Sequence, residues 1–314
     1  MTIARIQRTI FCVELLSTVL IAAVLHTYAS LAWWVSLLVA LMVPFLIHAS
    51  IIATGCLICE LAVRTGTHPR PLQYRIGLLK ALRCYVREFL TSLRNFSWAQ
   101  PWRANAPIAG EQRSGNAHIP VLLIHGYFCN RALWRSFAKR LDAAGHPIAT
   151  LNLEPVFGSI DNYTSLIHQA VQTLRQRTGA KQVALVCHSM GGLAASAYMR
   201  AFEQDAKESV IAHIVTLGTP HQGTILARHG PGENSRQMQL ISPWRDDLYA
   251  HICAEIRRKY TIILSHHDQI VAPQSIQTLP DAHIIELSGI GHMTMLYDRC
   301  VQEQVCAILS KFKP

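Results

Sequence analysis

The sequence predicts an α/β fold in which a mostly parallel central sheet carries helices on both faces and is preceded by two transmembrane helices. Three observations predict this arrangement. Two apolar stretches of about 20 residues open the chain. Half of all residues are hydrophobic, which is a high share for a wholly soluble protein. From residue 119 onward, short apolar runs alternate with longer amphipathic ones, as in parallel strands joined by helices.

The positive charge of the chain is concentrated beside the apolar stretches. The net charge is +10, and residues 1–103 hold ten Lys and Arg against three acidic residues. Basic residues that flank membrane spans set their orientation. The charge pattern therefore indicates a membrane bilayer as partner and no nucleic acid.

Residues 1–66 are predicted to form a transmembrane helical hairpin. Its spans cover about 9–28 and 31–53, and each is long enough to cross roughly 30 Å of hydrocarbon. A cleavable signal peptide is not expected, because a second and longer apolar span follows the first at once. Basic residues precede the first span and follow the second, so we expect both flanks and the domain that follows them on the cytoplasmic side of an inner or plasma membrane.

Two polar residues fall inside the predicted spans. Glu14 lies near the start of the first span and His48 near the end of the second, so their depths match in an antiparallel hairpin. We expect a hydrogen bond between them that keeps both off the lipid. The alternative is that each side chain snorkels to the interface or faces a further subunit.

Residues 67–118 connect the hairpin to the next domain. Apolar side chains recur at helical spacing between Leu72 and Phe96, and Arg and Lys occupy much of the remaining surface. Such a helix either lies on an anionic membrane surface or packs against the following domain, and the sequence leaves both alternatives open. The stretch from Ala99 to His118 is rich in Pro, Gly and polar residues and is predicted to be a linker.

The nine cysteines have no regular spacing, and several lie in apolar surroundings, so we expect reduced thiols and no disulfide framework. Cys56 and Cys59 form a C-x-x-C pair within an apolar helical stretch. A redox or metal role is not expected there, because the strand and turn of a redox motif are missing.

Residues 119–314 are predicted to form the α/β domain. Helices are predicted over 132–144 and 162–177. Strands are predicted in six segments, at 119–125, 147–153, 182–187, 210–218, 260–266 and 283–288.

The stretch "VALVCHSMGG" places Ser189 directly after a buried strand and before a helix-forming run. A sharp strand-to-helix turn lifts a serine hydroxyl clear of the sheet, which is the setting of a hydrolase nucleophile. Cys187 occupies the position at which the G-x-S-x-G signature has its first glycine. We expect Cys187 to act as a small packing residue, because burial raises the pKa of a thiol and no base is available to it.

A serine nucleophile needs a histidine base that is oriented by a carboxylate. Asp268 and His292 follow in the expected order, each in a loop after a predicted strand. His292 is preferred because its loop is flanked by glycine and follows the last strand. The competing candidates nearby are His266, His267, His283, Asp246, Asp247 and Asp281.

Five segments, "IHGYFCN", "CHSMGG", "TLGTPHQGT", "HDQIV" and "GIGHM", together resemble the bacterial lipase branch of the α/β-hydrolase superfamily over about residues 119–305. The resemblance implies a catalytic triad of Ser189, Asp268 and His292. It also implies an oxyanion hole formed by the backbone amides of Tyr127 and Met190, with Phe128 as the alternative donor on the first loop. No cofactor or metal ion is expected, because no acidic cluster for a structural calcium is evident.

The predicted function is that of a membrane-anchored serine ester hydrolase, which cleaves lipid or other acyl esters through an acyl-enzyme. An acyltransferase or thioesterase with the same triad is an alternative, as is a non-catalytic membrane scaffold with this fold. Residues 221–258 lie between two core strands and are interpreted as a possible lid, the alternative being a fixed surface excursion. The oligomeric state is left open.

Overall fold

The computed structural model describes residues 2–115 and 117–313. Its centre is a six-stranded sheet in which every neighbouring pair of strands is parallel. The strands are β1 Val121–Ile124, β2 Ile148–Thr150, β3 Val183–His188, β4 Ile211–Leu217, β5 Tyr260–Ser265 and β6 His283–Leu287. Five of the six predicted strand segments contain one of these strands, and β3 extends one residue beyond its predicted segment, to His188.

Eleven α-helices are found in the described residues. They are α1 Ile3–Tyr28, α2 Trp33–Thr65, α3 Leu78–Arg94, α4 Gln100–Arg103, α5 Arg135–Ala143, α6 Thr164–Thr178, α7 Met190–Phe202, α8 Glu233–Gln237, α9 Pro243–Ala250, α10 Ala254–Arg257 and α11 Arg299–Leu309. The two helices predicted inside the α/β domain correspond to α5 and α6, and each is preceded by a short 3-10 turn.

The strand order, β2-β1-β3-β4-β5-β6, decides where a ligand can bind. From β1 the chain moves outward to β2, and it then returns to place β3 on the other side of β1. The loops after β1 and β3 therefore leave in opposite directions, and a crevice opens at the carboxyl ends of these strands. Ile124 of β1 pairs with Cys187 of β3 at this edge, so the loop before Tyr127 and the turn at Ser189 lie side by side.

The sheet separates two hydrophobic layers, because successive side chains of a strand point to opposite faces. On β3, Leu185 and Cys187 face the layer that includes α6 and α7. Ala184 and Val186 face the layer that includes α5 and α11. Every residue of β3 is buried, as expected for a central parallel strand covered on both faces.

Helices α1 and α2 form an antiparallel pair that is long and apolar enough to cross a membrane. Their most apolar 18-residue windows have mean hydropathies of 2.0 and 2.4, and only 11% and 17% of those windows are buried. Most of their apolar side chains thus face away from the protein, unlike those of a buried core helix. Both helices are longer than the predicted spans, and α2 continues to Thr65 because its last turns pack on the α/β domain. There Cys59 Sγ donates a hydrogen bond to the Gln269 carbonyl oxygen at 3.2 Å.

Helix α3 lies within the helix predicted between Leu72 and Phe96 and is shorter at both ends. A 3-10 turn at Leu72–Tyr74 and extended backbone at Gly77 precede it. Its buried residues are Cys84, Glu88 and Ser92. The side of α3 that carries these three residues therefore packs against the domain, which was one of the two alternatives. Several apolar side chains on its other side are exposed. Those that are more than two fifths exposed are Leu78, Leu79, Leu82, Val86 and Leu90.

Residues 221–258 form a series of short helices on the α/β domain. Asn234 donates a hydrogen bond to the Val156 carbonyl oxygen at 2.9 Å, and Gln237 accepts one from the Ile160 amide at 2.7 Å. Buried polar side chains thus attach this segment to the loop after β2. Its interpretation as a lid stays a prediction.

Candidate active site

Ser189 lies at the turn between β3 and α7 with φ 56° and ψ −131°. Such a conformation is strained for a residue with a side chain and occurs mainly where the surrounding structure holds it in place. Glycines at two neighbouring positions allow the tight packing. A Cβ on Gly126 would lie 2.6 Å from Ser189 Cβ, and one on Gly191 would lie 2.4 Å from the Ile124 carbonyl oxygen. The loop after β1 and the first turn of α7 are therefore in contact around the serine.

Cys187 points away from this turn and into the hydrophobic layer on the α7 side. It is fully buried, and burial raises the pKa of its thiol. It does not line the cavity that contains Ser189. A thiol in this position is a packing group.

His292 and Asp268 form a buried pair. His292 Nδ1 lies 2.7 Å from Asp268 Oδ2. Asp268 Oδ1 accepts hydrogen bonds from the backbone amides of Ile270 and Val271, both at 2.8 Å, so the carboxylate is held in one orientation. Burial acts to lower the pKa of His292, but the negative charges of Asp268 and Glu88 outweigh it and hold the pKa above its ordinary value.

His188 supports the loop that carries His292. Its Nε2 lies 3.1 Å from the His292 carbonyl oxygen, and the two rings are 4.5 Å apart. Burial, followed by the neighbouring His292, holds the pKa of His188 well below its ordinary value, so His188 is neutral and donates this hydrogen bond from Nε2.

Ser189 and His292 line the same cavity, but Ser189 Oγ is not hydrogen-bonded to His292 in this structure. In the resting state of hydrolases this bond is often long or poorly aligned and tightens when substrate binds. The structure thus places all three sequence-predicted residues at one edge of the sheet, with the Asp268–His292 contact already formed.

Backbone amides at the turn after β1 and at the start of α7 are free to bind an anion. The N–H groups of Tyr127, Phe128 and Met190 donate to no acceptor in the described part of the chain. Phe128 has φ 55°, which turns the backbone sharply beside Gly126 and Ser189. The structure is compatible with Met190 and either of the two loop amides as the donors to an oxyanion.

The competing histidines have other partners. His266 stacks on Tyr74 with ring centroids 4.3 Å apart, and His267 Nδ1 accepts a hydrogen bond from the Gly289 amide at 3.0 Å. Neither lines the cavity, and His283 is exposed on β6. The competing aspartates form ion pairs with arginines away from Ser189, in the pairs Asp246–Arg245, Asp247–Arg200 and Asp281–Arg257.

Glu88 of α3 is a site residue that the sequence did not reveal. Its carboxylate is buried and accepts hydrogen bonds from Gln269 Nε2, the Met293 amide, and both the amide and hydroxyl of Thr294, at 2.7–2.9 Å. Gln269 Oε1 in turn accepts from the His292 amide at 3.1 Å. The only signal in the sequence was an acidic residue in an otherwise basic helix.

The cavity that contains Ser189 has a volume of about 450 Å³ and is shared between the α/β domain and the N-terminal helices. The α/β domain contributes Tyr127, Phe128, His188, Ser189, Gln269 and His292. The N-terminal helices contribute Gln7, Phe11, Glu14, His48, Ile52 and Gly55, among others. No described residue of 221–258 lines it, so α1, α2 and α3 are the elements that cover the serine.

The predicted hydrogen bond between Glu14 and His48 is wrong. Both side chains line the cavity, and no hydrogen bond joins them. His48 Nε2 has no hydrogen-bond partner in the described residues, and the His48 ring packs edge-on against Phe89 at 5.6 Å. Matching depth in a hairpin was therefore not enough to bring the two groups into contact.

Comparisons with known proteins agree with the fold and with the motifs. Residues 119–239 match the family model described as alpha/beta hydrolase fold. Triacylglycerol lipases from Pseudarthrobacter phenanthrenivorans and Burkholderia plantarii are each 32% identical to the chain over 117 residues, which is 34% of this chain and 35% and 31% of theirs. The chain thus spans about a third of the length of the curated relatives it matches.

Solved lipase structures share the fold. The mature lipase of Bacillus licheniformis has a TM-score of 0.55 at 15% identity, over 65% of this chain and 96% of that one. Lipase B of Aspergillus fumigatus has a TM-score of 0.53 at 16% identity, over 67% of this chain and 56% of that one. Residues 119–313 therefore have the α/β-hydrolase fold. The resemblance to the lipase and esterase branch that the motifs indicated is confirmed.

Proposed function

We propose that the protein is a membrane-anchored serine ester hydrolase in which Ser189, His292 and Asp268 form the catalytic triad. The main support is geometric. A serine on a strained turn shares one cavity with a histidine that is held by a buried aspartate at 2.7 Å. An inert scaffold would gain nothing from a strained serine, a buried histidine–aspartate hydrogen bond and free amides at one point.

The reaction proceeds in two halves. His292 Nε2 takes the proton from Ser189 Oγ as the oxygen attacks the ester carbonyl, and Asp268 stabilises the imidazolium that forms. The Met190 amide and a loop amide from Tyr127 or Phe128 donate to the carbonyl oxygen as it becomes negative. His292 then returns the proton to the departing alcohol. Water repeats the sequence on the acyl-enzyme, releasing the acid and restoring Ser189.

Membrane attachment is supported by the exposure of α1, α2 and α3. Exposure of apolar side chains to water is unfavourable. The exposed apolar surfaces of these three helices adjoin one another and form one large apolar surface. Tyr85 of α3 donates a hydrogen bond to the Ala49 carbonyl oxygen of α2 at 2.9 Å, so α3 lies beside the hairpin. With Lys80, Arg83 and Arg94 also on α3, its outer surface suits the anionic interface of a bilayer.

The substrate class follows from the cavity and from the relatives. The cavity walls contributed by the N-terminal helices are largely apolar, as in Ile10, Phe11, Ile51 and Ile52. The curated relatives are named triacylglycerol lipases. We infer that the substrate is a lipid or another acyl ester, drawn from the membrane to which the enzyme is attached.

Labelling with a fluorophosphonate probe tests this proposal on the purified, detergent-solubilised protein. Ser189→Ala should abolish labelling and lower kcat on acyl esters by about 10⁴-fold or more, because the nucleophile is lost. Ser310→Ala, an exposed serine in the last turn of the domain, is the matched control and should keep both. Absence of labelling in the folded wild-type protein, or labelling that survives Ser189→Ala, would reject the assignment.

A further inference from the structure

We propose that the cleft between α1 and α2 is the acyl-chain site of the enzyme, and that it receives the chain of a long-chain lipid ester from within the surrounding leaflet. This inference rests on the proposed function of Ser189. We call this cleft the hairpin groove. It is lined by Phe11, Leu15, Thr18, Leu41, Phe45 and Leu93 and has a volume of about 280 Å³.

The hairpin groove continues the cavity that contains Ser189. Four residues, Phe11, Glu14, His48 and Ser97, line both spaces. Glu14 and His48 stand at the junction, one on each helix, and beyond them the wall is almost entirely hydrocarbon. Because the groove lies directly beside this cavity, the proposed acyl chain would extend from the nucleophile to the outer surface of the hairpin.

The groove is built for an apolar ligand that comes from the side. Leu15, Leu41 and Phe45 are 55%, 38% and 43% exposed, so the groove opens along the surface of the helix pair. Thr18, the polar residue at its far end, has its hydroxyl hydrogen-bonded to the Glu14 carbonyl oxygen at 2.9 Å and offers no free donor. A chain in this groove would lie between the helices and touch the lipid around them.

The length of the path suits a long acyl chain. Gln7 Nε2 lies 3.5 Å from the Phe128 carbonyl oxygen, so Gln7 marks the level of the loop beside Ser189. Thr18 lies eleven residues further along α1, or about 16 Å at the rise of an α-helix. An extended chain gains about 1.2 Å per bond, so about a dozen carbons fill this distance. It also equals roughly half the hydrocarbon thickness of a bilayer.

The hairpin is fixed to the domain tightly enough to serve as a wall. A Cβ on Gly55 of α2 would lie 3.1 Å from the Gln269 carbonyl oxygen. Arg8 of α1 donates to the Pro101 carbonyl oxygen at 2.7 Å, and its guanidinium lies 5.4 Å from the centre of the Trp102 ring. Helix α2 thus contacts the α/β domain at Gln269, while α1 contacts α4 as well as the Phe128 loop.

The test is to block the groove and measure chain-length preference. Thr18→Phe should lower kcat/KM for a palmitoyl ester by about tenfold or more, because each buried methylene contributes roughly fourfold to binding. The same variant should leave a butyryl ester nearly unchanged, since its chain ends before Thr18. Thr27→Phe, on the same helix but exposed and outside the groove, is the matched control.

Leu41→Trp narrows the groove from α2, away from the cavity of Ser189, and serves as the second variant if Thr18→Phe does not fold. A chain-length profile identical to that of the wild type in a folded blocking variant would overturn the proposal. An equal loss on both esters would do the same, because it would indicate damage to the catalytic centre.

Photocrosslinking separates this proposal from the function of Ser189. Palmitic acid with a diazirine at its far end should crosslink to peptides of α1 and α2, and Thr18→Phe should abolish this. Crosslinking there without any ester hydrolysis would retain the groove and reject the enzyme. Hydrolysis of palmitoyl esters with crosslinking elsewhere would retain the enzyme and reject the groove.

Discussion

The space around Ser189 is provided by glycines on both sides of it. The strained backbone of Ser189 costs about 1–3 kcal/mol, and the packing of α7 against β1 must hold it in place. A Cβ on Gly191 or Gly192 would lie 2.4 Å from the Ile124 carbonyl oxygen or 2.3 Å from Thr219 Oγ1. The close approach of α7 thus depends on these two positions, while Cys187 packs in the core.

The stability and activity of Cys187 variants should depend on the volume of the side chain and not on the presence of a thiol. We expect Cys187→Ala and Cys187→Gly to retain turnover and fluorophosphonate labelling. Cys187→Leu should destabilise the fold by about 1–3 kcal/mol, because added methylenes overfill a packed layer, and should lower activity with it. Denaturant unfolding and steady-state kinetics check both effects. A folded but inactive Cys187→Ala protein would mean that the thiol takes part in the reaction.

At the scale of residues, the sequence predicted correctly that three polar side chains meet at one edge of the sheet, because their positions depend only on where each strand ends. Ser189, Asp268 and His292 each follow a strand end, and parallel strand ends share one edge of the sheet. The contact proposed between Glu14 and His48 depended on the spacing of two helices, which periodicity does not determine. The role of Glu88 depended on contacts with residues about 200 positions away, such as Met293 and Thr294.

Helix α3 links the outer surface of the molecule to the His292 loop. Glu88 binds the backbone directly after His292, and Arg87 forms an ion pair with Asp298 at 2.8 Å. The opposite side of the helix exposes Leu79 and Leu82. One helix thus carries both a surface suited to a membrane and a carboxylate that binds the backbone of the His292 loop.

Glu88→Gln should impair catalysis and shift its pH dependence. An amide offers one acceptor oxygen where the carboxylate offers two, so a buried donor near Thr294 is left unsatisfied at about 1–3 kcal/mol. If the unsatisfied donor displaces the His292 loop, and the same free energy is lost from the transition state, kcat falls by about ten- to a hundredfold. The charge of Glu88 raises the pKa of His292. Removing it should lower that pKa and move the acidic limb of kcat/KM to lower pH, because the base must be unprotonated.

The control for Glu88 is Glu208→Gln, an exposed acidic residue far along the chain, which should change neither rate nor pH profile. A purely structural role for Glu88 would lower the amount of active enzyme without moving the pH profile. An unchanged acidic limb in the folded Glu88→Gln protein would thus contradict the positioning role.

At the scale of elements, the sequence predicted whether a segment is a helix or a strand better than it predicted where that element begins and ends. Alternating apolar runs identified the six strands, because each parallel strand is buried on both faces. The first predicted span began too late, at 9, because α1 begins at Ile3. The second ended too early, at 53, because α2 extends to Thr65 through contacts with the domain. Hydropathy reports the membrane-facing part of a helix and not the turns that pack on protein.

For the whole molecule, the hairpin and the α/β domain together line the cavity that contains Ser189. A helix of 33 residues extends about 50 Å, well beyond the roughly 30 Å of a hydrocarbon core. With the proposed membrane attachment, the last turns of α2 would leave the bilayer on the side where the domain sits. The proposed reaction at Ser189 would then take place at the membrane surface, and the proposed hairpin groove would extend from it into the lipid.

This arrangement predicts the orientation of the protein in a cell. Because Arg5 and Arg8 precede α1 and Arg64 and Arg70 follow most of α2, the domain should be cytoplasmic and the connection near Ser30 should face outward. A membrane-impermeant maleimide should therefore label Ser30→Cys in intact cells. The exposed Cys253 and Cys300 of the domain serve as internal controls and should be labelled only after the membrane is permeabilised. Labelling of these two cysteines in intact cells, with Ser30→Cys protected, would reverse the orientation and place the hydrolase outside the cytoplasm.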